Sequence, residues 1–339
     1  MKPTLSIITL FSSGESRIPF LASLPEQSLA NLEVLLADTL PPLPASLEQR
    51  LADKGIALRL VPANDACCEH AFWMAAVASA RADWILHIAD GARLIPGTAL
   101  EENLDMARAA RVDMLHFSVP GCYSPRTASL NGQEILRFFL CSNSIDSCEL
   151  TNKVYSRGLC LDACGVLKTM PEYSGNNLGG LHLVLSSLAK TYSGYGKGIA
   201  EYPAQSRGAA EHAEHAAALY AAFSSLPDLF ASRGLQEEII TLARKRLRTE
   251  LSFALGRMCR RQSASETSGE EFLAMLHNTC GKEKTLQALL LAVACNAERM
   301  TAVYRAIYED SLFNPSLAYG LPDTASTSWR QEPMQEAQP

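Results

Sequence analysis

Residues 83–96 read DWILHIADGARLIP. Trp84 to Ile88 is a short, largely apolar run, the length of one buried strand. It gives way to a polar turn, Ala89-Asp90-Gly91-Ala92, and the segment stops at Pro96. In an α/β protein, the loop at the carboxyl end of such a strand is where ligands sit. This turn carries a single carboxylate, that of Asp90.

Outward from this segment, strand-like and helix-like stretches alternate. Leu5–Leu10 reads as a buried first strand, broken by Ser12-Ser13-Gly14, and a helical segment follows from Arg17 to about Leu29, with Pro25 near its end. Leu32–Ala37 is a second strand ending at Asp38; Pro41, Pro42 and Pro44 mark a loop, and Ser46–Lys54 is a helix. Ile56–Val61 is a third strand and Ala66–Arg81 an Ala-rich helix. Past the fourth strand, Trp84–Ile88, come a helix at Thr98–Ala110 and a fifth strand at Val112–Val119. Such alternation with short connections predicts an α/β fold, a mainly parallel sheet flanked by helices.

From Pro120 the pattern loosens. Gly132–Cys141 reads as helix, Leu150–Tyr155 as a strand or a turn-linked segment, and Gly175–Lys190 contains the apolar helix LGGLHLVLSSLAK. Gly194–Gly208, with four glycines and a proline, reads as a loop and a domain edge. Ala209–Tyr308 is helical in pattern, punctuated by Gly234 and Ser263–Gly269, and the polar stretch Asn314–Pro339 reads as a disordered tail. The predicted organisation is an α/β domain over 1–207, a helical C-terminal region over 208–313 and a tail over 314–339.

Hydrophobic residues make up 47% of the 339-residue chain and charged residues 19%, a globular balance. A net charge of −6 gives no overall attraction for nucleic acid or anionic lipid. The N-terminal apolar run is seven residues long, too short to span a membrane and without a signal-peptide cleavage pattern, so a cytoplasmic protein is expected. The ten cysteines form no CxxC pair, and most read as reduced, buried thiols.

Four segments, taken in order, carry a resemblance. LSIITLFSS is followed by SLPEQSL, with Gln27-Ser28; EVLLADTLPP holds Asp38 and Thr39; DWILHIADGARLIP ends at Pro96; and LTNKVYSR holds Asn152, Lys153 and Tyr155. Over about residues 3–207 the chain resembles the family-two glycosyltransferases, proteins of GT-A fold. Those proteins have Ser-x-x-x-Gln-Thr after the first strand, paired aspartates after the second, a segment like YILFLDSDDWLEP at the fourth, and Leu-x-Asn-Lys-Leu-Tyr farther on.

The resemblance implies a GT-A-like fold and transfer of a sugar from a nucleotide-sugar donor, UDP-linked, to a glycan or lipid-linked acceptor. It implies that Asp38 accepts a hydrogen bond from the nucleotide base; the other reading is a loop Asp capping its turn. It implies a Mn²⁺ or Mg²⁺ ion at the turn after the fourth strand. The family has acids at the positions of Ala89, Gly91 and often Ala92. Asp90 fills the variable middle place, so it is a metal ligand and donor contact only if the loop shifts by one residue, and otherwise a polar turn residue.

Two further departures stand out. The family has Ala-Arg-Asn in the third helix, with the Arg near the diphosphate; here the segment is Ala71-Phe72-Trp73-Met74, and Lys153 is the cation available to compensate. Inverting members take the acceptor proton with an Asp of a Glu-Asp pair, and Asn176-Asn177 stands in that place. Glu172 and His182 are the nearby catalytic candidates, with a packed core histidine as the other reading of His182. The departures leave a second function open: a catalytically silent relative acting as a binding or scaffold protein in surface-polysaccharide assembly.

Elsewhere, His212-x-x-His215 has the spacing of two metal ligands without a third. Arg244, Lys245, Arg246, Arg248, Arg257, Arg260 and Arg261 read either as a solvated helix face or as a surface for acidic lipid carriers, a peripheral membrane contact. Lys197 lacks the spacing of a phosphate loop.

Overall fold

The computed structural model describes residues 2–9, 17–37, 42–62, 69–88, 92–118, 129–141, 150–169, 180–195, 197–201 and 225–246. Asp38, Asp90, Glu172, Asn176-Asn177, His212, His215 and the 314–339 tail lie outside these residues, as does most of the helical region expected over 208–313.

Strands are numbered along the chain. β3 (Ala57–Val61), β2 (Leu32–Ala37), β1 (Leu5–Thr9) and β4 (Trp84–Ile88) lie side by side and run parallel. The same sheet continues through β8 (Lys153–Ser156), β6 (Met114–Phe117), β9 (Thr191–Tyr195) and β7 (Ser129–Asn131). β8 is antiparallel to both β4 and β6, β6 and β9 are parallel, and β7 closes the edge antiparallel to β9. A separate antiparallel pair joins β5 (Arg93–Leu94) to β10 (Ala200–Glu201). β1, β2, β4 and β6 are buried along their whole length. That is why their sequences are runs of apolar residues rather than alternating patterns.

Helices cover both faces. On one face α1 (Arg17–Ser23), α2 (Ala45–Asp53) and α4 (Ala99–Ala110) bring Phe20, Leu21, Leu47, Leu51, Leu100 and Leu104 against Ile7, Val34, Leu86 and Leu115. On the other, α3 (Glu69–Ser79), α5 (Gln133–Cys141), α6 (Arg157–Leu167) and α7 (Leu181–Leu188) pack against Ile8, Leu35, Ile85 and Tyr155. Residues 225–232 and 237–246 are helical, separated by Gly234 at φ +70°, and their Leu226, Phe230, Ile239 and Ile240 join this second core.

Several expectations shift. The helix from Arg17 stops at Ser23, and Leu24–Glu26 tightens into a 3₁₀ turn around Pro25, which has no N–H to continue an α-helix. The stretch read as a loop from Gly194 contains the end of β9 and all of β10. α6 was not read from the sequence; it carries two glycines, Gly158 and Gly165, which are poor helix formers, and Ser156 caps it by accepting from Leu159 N at 3.3 Å. Arg246 is buried rather than on a solvated face, whereas Arg244 is half-exposed and paired with Glu237.

Candidate functional site at the carboxyl end of the sheet

The parallel strands end on one side of the sheet at Thr9, Ala37, Val61, Ile88 and Phe117. β8 runs the other way, so Asn152 and Lys153 begin it on that same side. Asp38, one residue after β2 in the sequence, and Asp90, two after β4, are outside the described residues. In open α/β sheets this is the end that takes ligands.

The Gln27-Ser28 segment and the stretch after the Asp90 turn are one unit. Gln27 is buried, and its Nε2 donates to Ile95 O at 3.0 Å and Ser23 O at 3.3 Å. Ser28 N donates to Gly97 O at 3.1 Å, and Gly97 sits at φ +117°, a conformation that suits glycine. The two motifs recognised in the sequence thus hold each other in place.

LTNKVYSR lies at the same end of the sheet. Asn152 is buried in the left-handed region at φ +59°. Its main chain accepts from Phe117 N at 3.0 Å while its Nδ2 donates back to Phe117 O at 3.3 Å, which fixes the turn to the end of β6. Lys153 is fully buried; its Nζ donates to Asn152 Oδ1 at 2.9 Å and Thr151 O at 3.3 Å and lies 5.7 Å from the centre of the Phe139 ring.

These contacts determine protons. An ammonium only donates, so Asn152 Oδ1 faces Lys153 and its amide faces His116 Nε2 at 3.0 Å. That nitrogen must accept, so the His116 proton sits on Nδ1 and is donated to Tyr192 Oη at 3.1 Å. Burial first, and the Lys153 charge second, keep His116 well below its ordinary pKa.

His182 lies in the same cluster, edge-on to Phe139 with ring centres 4.2 Å apart. Ser186 Oγ donates to the His182 carbonyl at 2.7 Å, so the hydroxyl accepts from His182 Nε2 at 3.3 Å, and Nδ1 accepts from Tyr155 Oη at 3.0 Å. Burial, then Lys153 and His116, hold His182 neutral. The structure therefore brings together Lys153 and His182 from the sequence candidates and places both inside the core. His116, Asn152 and Tyr192 join them, and only register could have shown it. Trp73, on α3, is buried in the core as well.

Among the described residues no group of three His, Cys, Asp or Glu side chains could hold a metal ion. The Ala92 position, often acidic in the family resembled, is a fully buried alanine packed with Ile88 and Leu94, so it supplies no ligand. Asp90 is the one carboxylate of the turn, and the turn's residues do not fit a two-carboxylate site for Mn²⁺ or Mg²⁺. Among the described residues no helix is long and apolar enough to cross a membrane.

No protein-family model and no curated protein matches the chain. Solved structures do. S. aureus TarS 1-349 in complex with UDP superposes with a TM-score of 0.53 at 15% identity, covering 97% of this chain and 91% of that one. A longer S. aureus TarS structure gives 0.52 at 14% identity, covering 93% of this chain and 54% of that one, so the chain spans about half the length of that protein. The likeness is one of fold, and the fold is GT-A-like.

Proposed function

We propose that the chain is a glycosyltransferase-like protein of the cytoplasm. It takes a nucleotide-sugar donor, UDP-linked, at the carboxyl end of its sheet and passes the sugar to a glycan or lipid-linked acceptor. One observation carries this reading: the sheet matches, along nearly the whole chain, a structure that holds UDP. Asp38, next after β2, supplies acceptors for the base. Asp90 stands by the diphosphate as a lone carboxylate. Lys153 contributes positive potential from within the core rather than from a free surface position.

Of the two catalytic candidates, Glu172 takes the role of general base in this reading. Both His182 nitrogens are engaged by Tyr155 and Ser186. His182 therefore anchors α7 in the core.

The test is calorimetry of UDP against the full chain, followed by release of UDP from UDP-sugars. Micromolar UDP binding that weakens in Asp38→Asn supports the reading; no nucleotide binding overturns it. A second reading, the silent binding or scaffold relative in polysaccharide assembly, is favoured by Asn176-Asn177 and the single-carboxylate turn. It predicts UDP binding with no UDP release, unchanged in Glu172→Gln.

A further inference from the structure

At the amino end of the sheet the connections lie within the described residues and are stitched into one rim. Arg157 N donates to Asp83 O at 2.8 Å, Ser156 N to Asp113 O at 2.8 Å, Asp113 N to Thr191 O at 3.1 Å and Gly132 N to Lys190 O at 3.0 Å. The starts of β4, β6 and β9 and the end of β8 therefore stand side by side, about 14 Å across at the usual strand spacing. Each brings a cation: Arg81 before β4, Arg157 after β8, Arg111 before β6 and Lys190 before β9.

The acids of this end do not balance them. Asp83 pairs with Lys2, Glu33 with Arg59 and Glu134 with Arg137, and the Asp113 carboxylate is taken by the Lys190 and Thr191 N–H groups. Arg81, Arg111 and Lys190 are exposed, Arg157 is half-buried, and none of the four is in an ion pair among the described residues. Elsewhere Arg59, Arg93, Arg108, Arg137 and Arg244 each meet a carboxylate.

Helix dipoles account for part of this. α3, α4 and α7 end here, and a cation near a helix C-terminus is favourable. They do not account for Arg111 or Arg157. Arg111 closes α4 in the left-handed region at φ +48°, the usual place of a glycine, and Arg108 already gives the last turn a cation. Arg157 is the first residue of α6, where the dipole favours an acid. Its Nε is sealed without a hydrogen-bond partner, and its one side-chain bond reaches Ala78 O at 3.5 Å. Both residues break a local rule without a gain inside the described chain, as functional positions do.

On a chain of net charge −6, a row of cations is complementary to a linear polyanion. Stable bilayer contact needs apolar side chains or a lipid anchor besides charge, and stacked bases need aromatic ones. The exposed large apolar residues, Leu60, Met106 and Leu161, are not aromatic and not in the rim. Three of the four cations are arginines, whose planar forks match the oxygens of acidic groups. We propose that the amino-end rim of Arg81, Arg157, Arg111 and Lys190 docks an acidic glycan chain, holding an acceptor polymer at the end of the sheet opposite the donor. The choice of a glycan rests on the glycosyltransferase-like reading above.

The experiment measures binding of polygalacturonate and neutral dextran to the full chain by calorimetry, and of phosphatidylserine vesicles by co-sedimentation. The variants are Arg111→Gly, Arg111→Gly with Lys190→Gln, and a control, Arg233→Gln with Arg244→Gln, which removes two exposed cations elsewhere. Wild type is expected to bind polygalacturonate and not dextran, more weakly as salt rises. The double rim variant should lose roughly tenfold in affinity and the control less than about twofold. Arg111→Gly should bind more weakly yet melt at an equal or higher temperature, because glycine suits its backbone. Equal polymer affinity in wild type and the rim variants overturns the proposal, as does an equal loss in the control, which assigns the attraction to overall charge. Tighter binding to vesicles than to polygalacturonate overturns it in favour of a membrane surface. UDP affinity, read in the same samples, is expected to stay constant across the variants. If UDP does not bind while rim-dependent polymer binding persists, the nucleotide reading fails alone; if wild type binds no polygalacturonate, the proposal fails whatever UDP does.

Discussion

The two ends of the central sheet handle buried charge in opposite ways. At the amino end, Glu33 of β2 is fully buried and ionised. Burial pushes its carboxyl up, but hydrogen bonds from Ser6, the Arg81 N–H, Arg59 and the Ala82 N–H outweigh that and hold it below its ordinary value. Arg59 bridges Glu33 at 2.9 Å and Ser79 O at 2.7 Å, so β1, β2, β3 and the end of α3 meet on one carboxylate. Asp113 does similar work before β6, accepting from Lys190 N at 2.8 Å and Thr191 N at 3.2 Å. At the carboxyl end the buried groups are bases. His87, His116 and His182 are all held neutral, and one of them lacks a partner for a sealed nitrogen. The first end is built for stability; the second gives up stability where a ligand is expected.

The contrast is open to measurement. The largest effect is expected at the amino end: Glu33→Ala removes the one acceptor shared by Ser6 Oγ, Arg59 and the Arg81 and Ala82 N–H groups, and should cost about 3–5 kcal/mol by urea unfolding. A loss under about 1 kcal/mol would show that the carboxylate is not the hub of this end.

Next comes acid sensitivity. The folded His87 titrates at about 4 against 6.5 in the unfolded chain. Between those values the unfolded chain binds more protons, so stability falls as pH drops from 6.5 toward 4. For His87 the integrated loss is about 3 kcal/mol, and His116 and His182 act in the same direction. Glu33, lowered from 4.5, loses its contribution only as pH falls below that value toward its folded pKa. The carboxyl end should therefore weaken first on acidification. Unfolding series at pH 7, 6 and 5 for wild type and His87→Leu check this, and identical slopes for the two would refute it.

Smaller effects concern the proposed donor. Asp38→Asn should weaken UDP binding by about 1–3 kcal/mol with little change in thermal stability, read by calorimetry and by melting. Adding a chelator should lower donor affinity less than tenfold, or about 1.4 kcal/mol. If binding instead collapses without Mn²⁺, and is lost again in Asp90→Ala, the Asp90 turn is a true metal site and the thin-metal reading fails.

Much of this fold was legible because its central strands are doubly buried. Leu32–Ala37 and Trp84–Ile88 are contiguous runs whose limits in the structure are those read from the sequence. TYSGY was not recognised as β9: Thr191 and the two tyrosines suit a strand, but Ser193 and Gly194 leave no apolar run to read, and main-chain pairing with β6 and β7 holds the segment. The site divides in the same way. Asn152 and Lys153 were visible as a motif. The row of His87, Lys153 and His116 was not, because those residues are 29 or more positions apart and meet only through strand register.

The placement of β8 also sets an order of events during synthesis. β1 ends at residue 9, but its partner β4 begins at residue 84, and the other neighbour of β4 begins at residue 153. At roughly 5–20 residues per second, the β1 edge waits about 4–15 s for β4, and the β4 edge waits about as long again for β8. β8 brings Lys153 between β4 and β6, so the most costly desolvation in this layer is deferred until strands on both sides exist. A nascent chain stalled before residue 150 would present the bare β4 edge, and that is the form of this protein most exposed to aggregation.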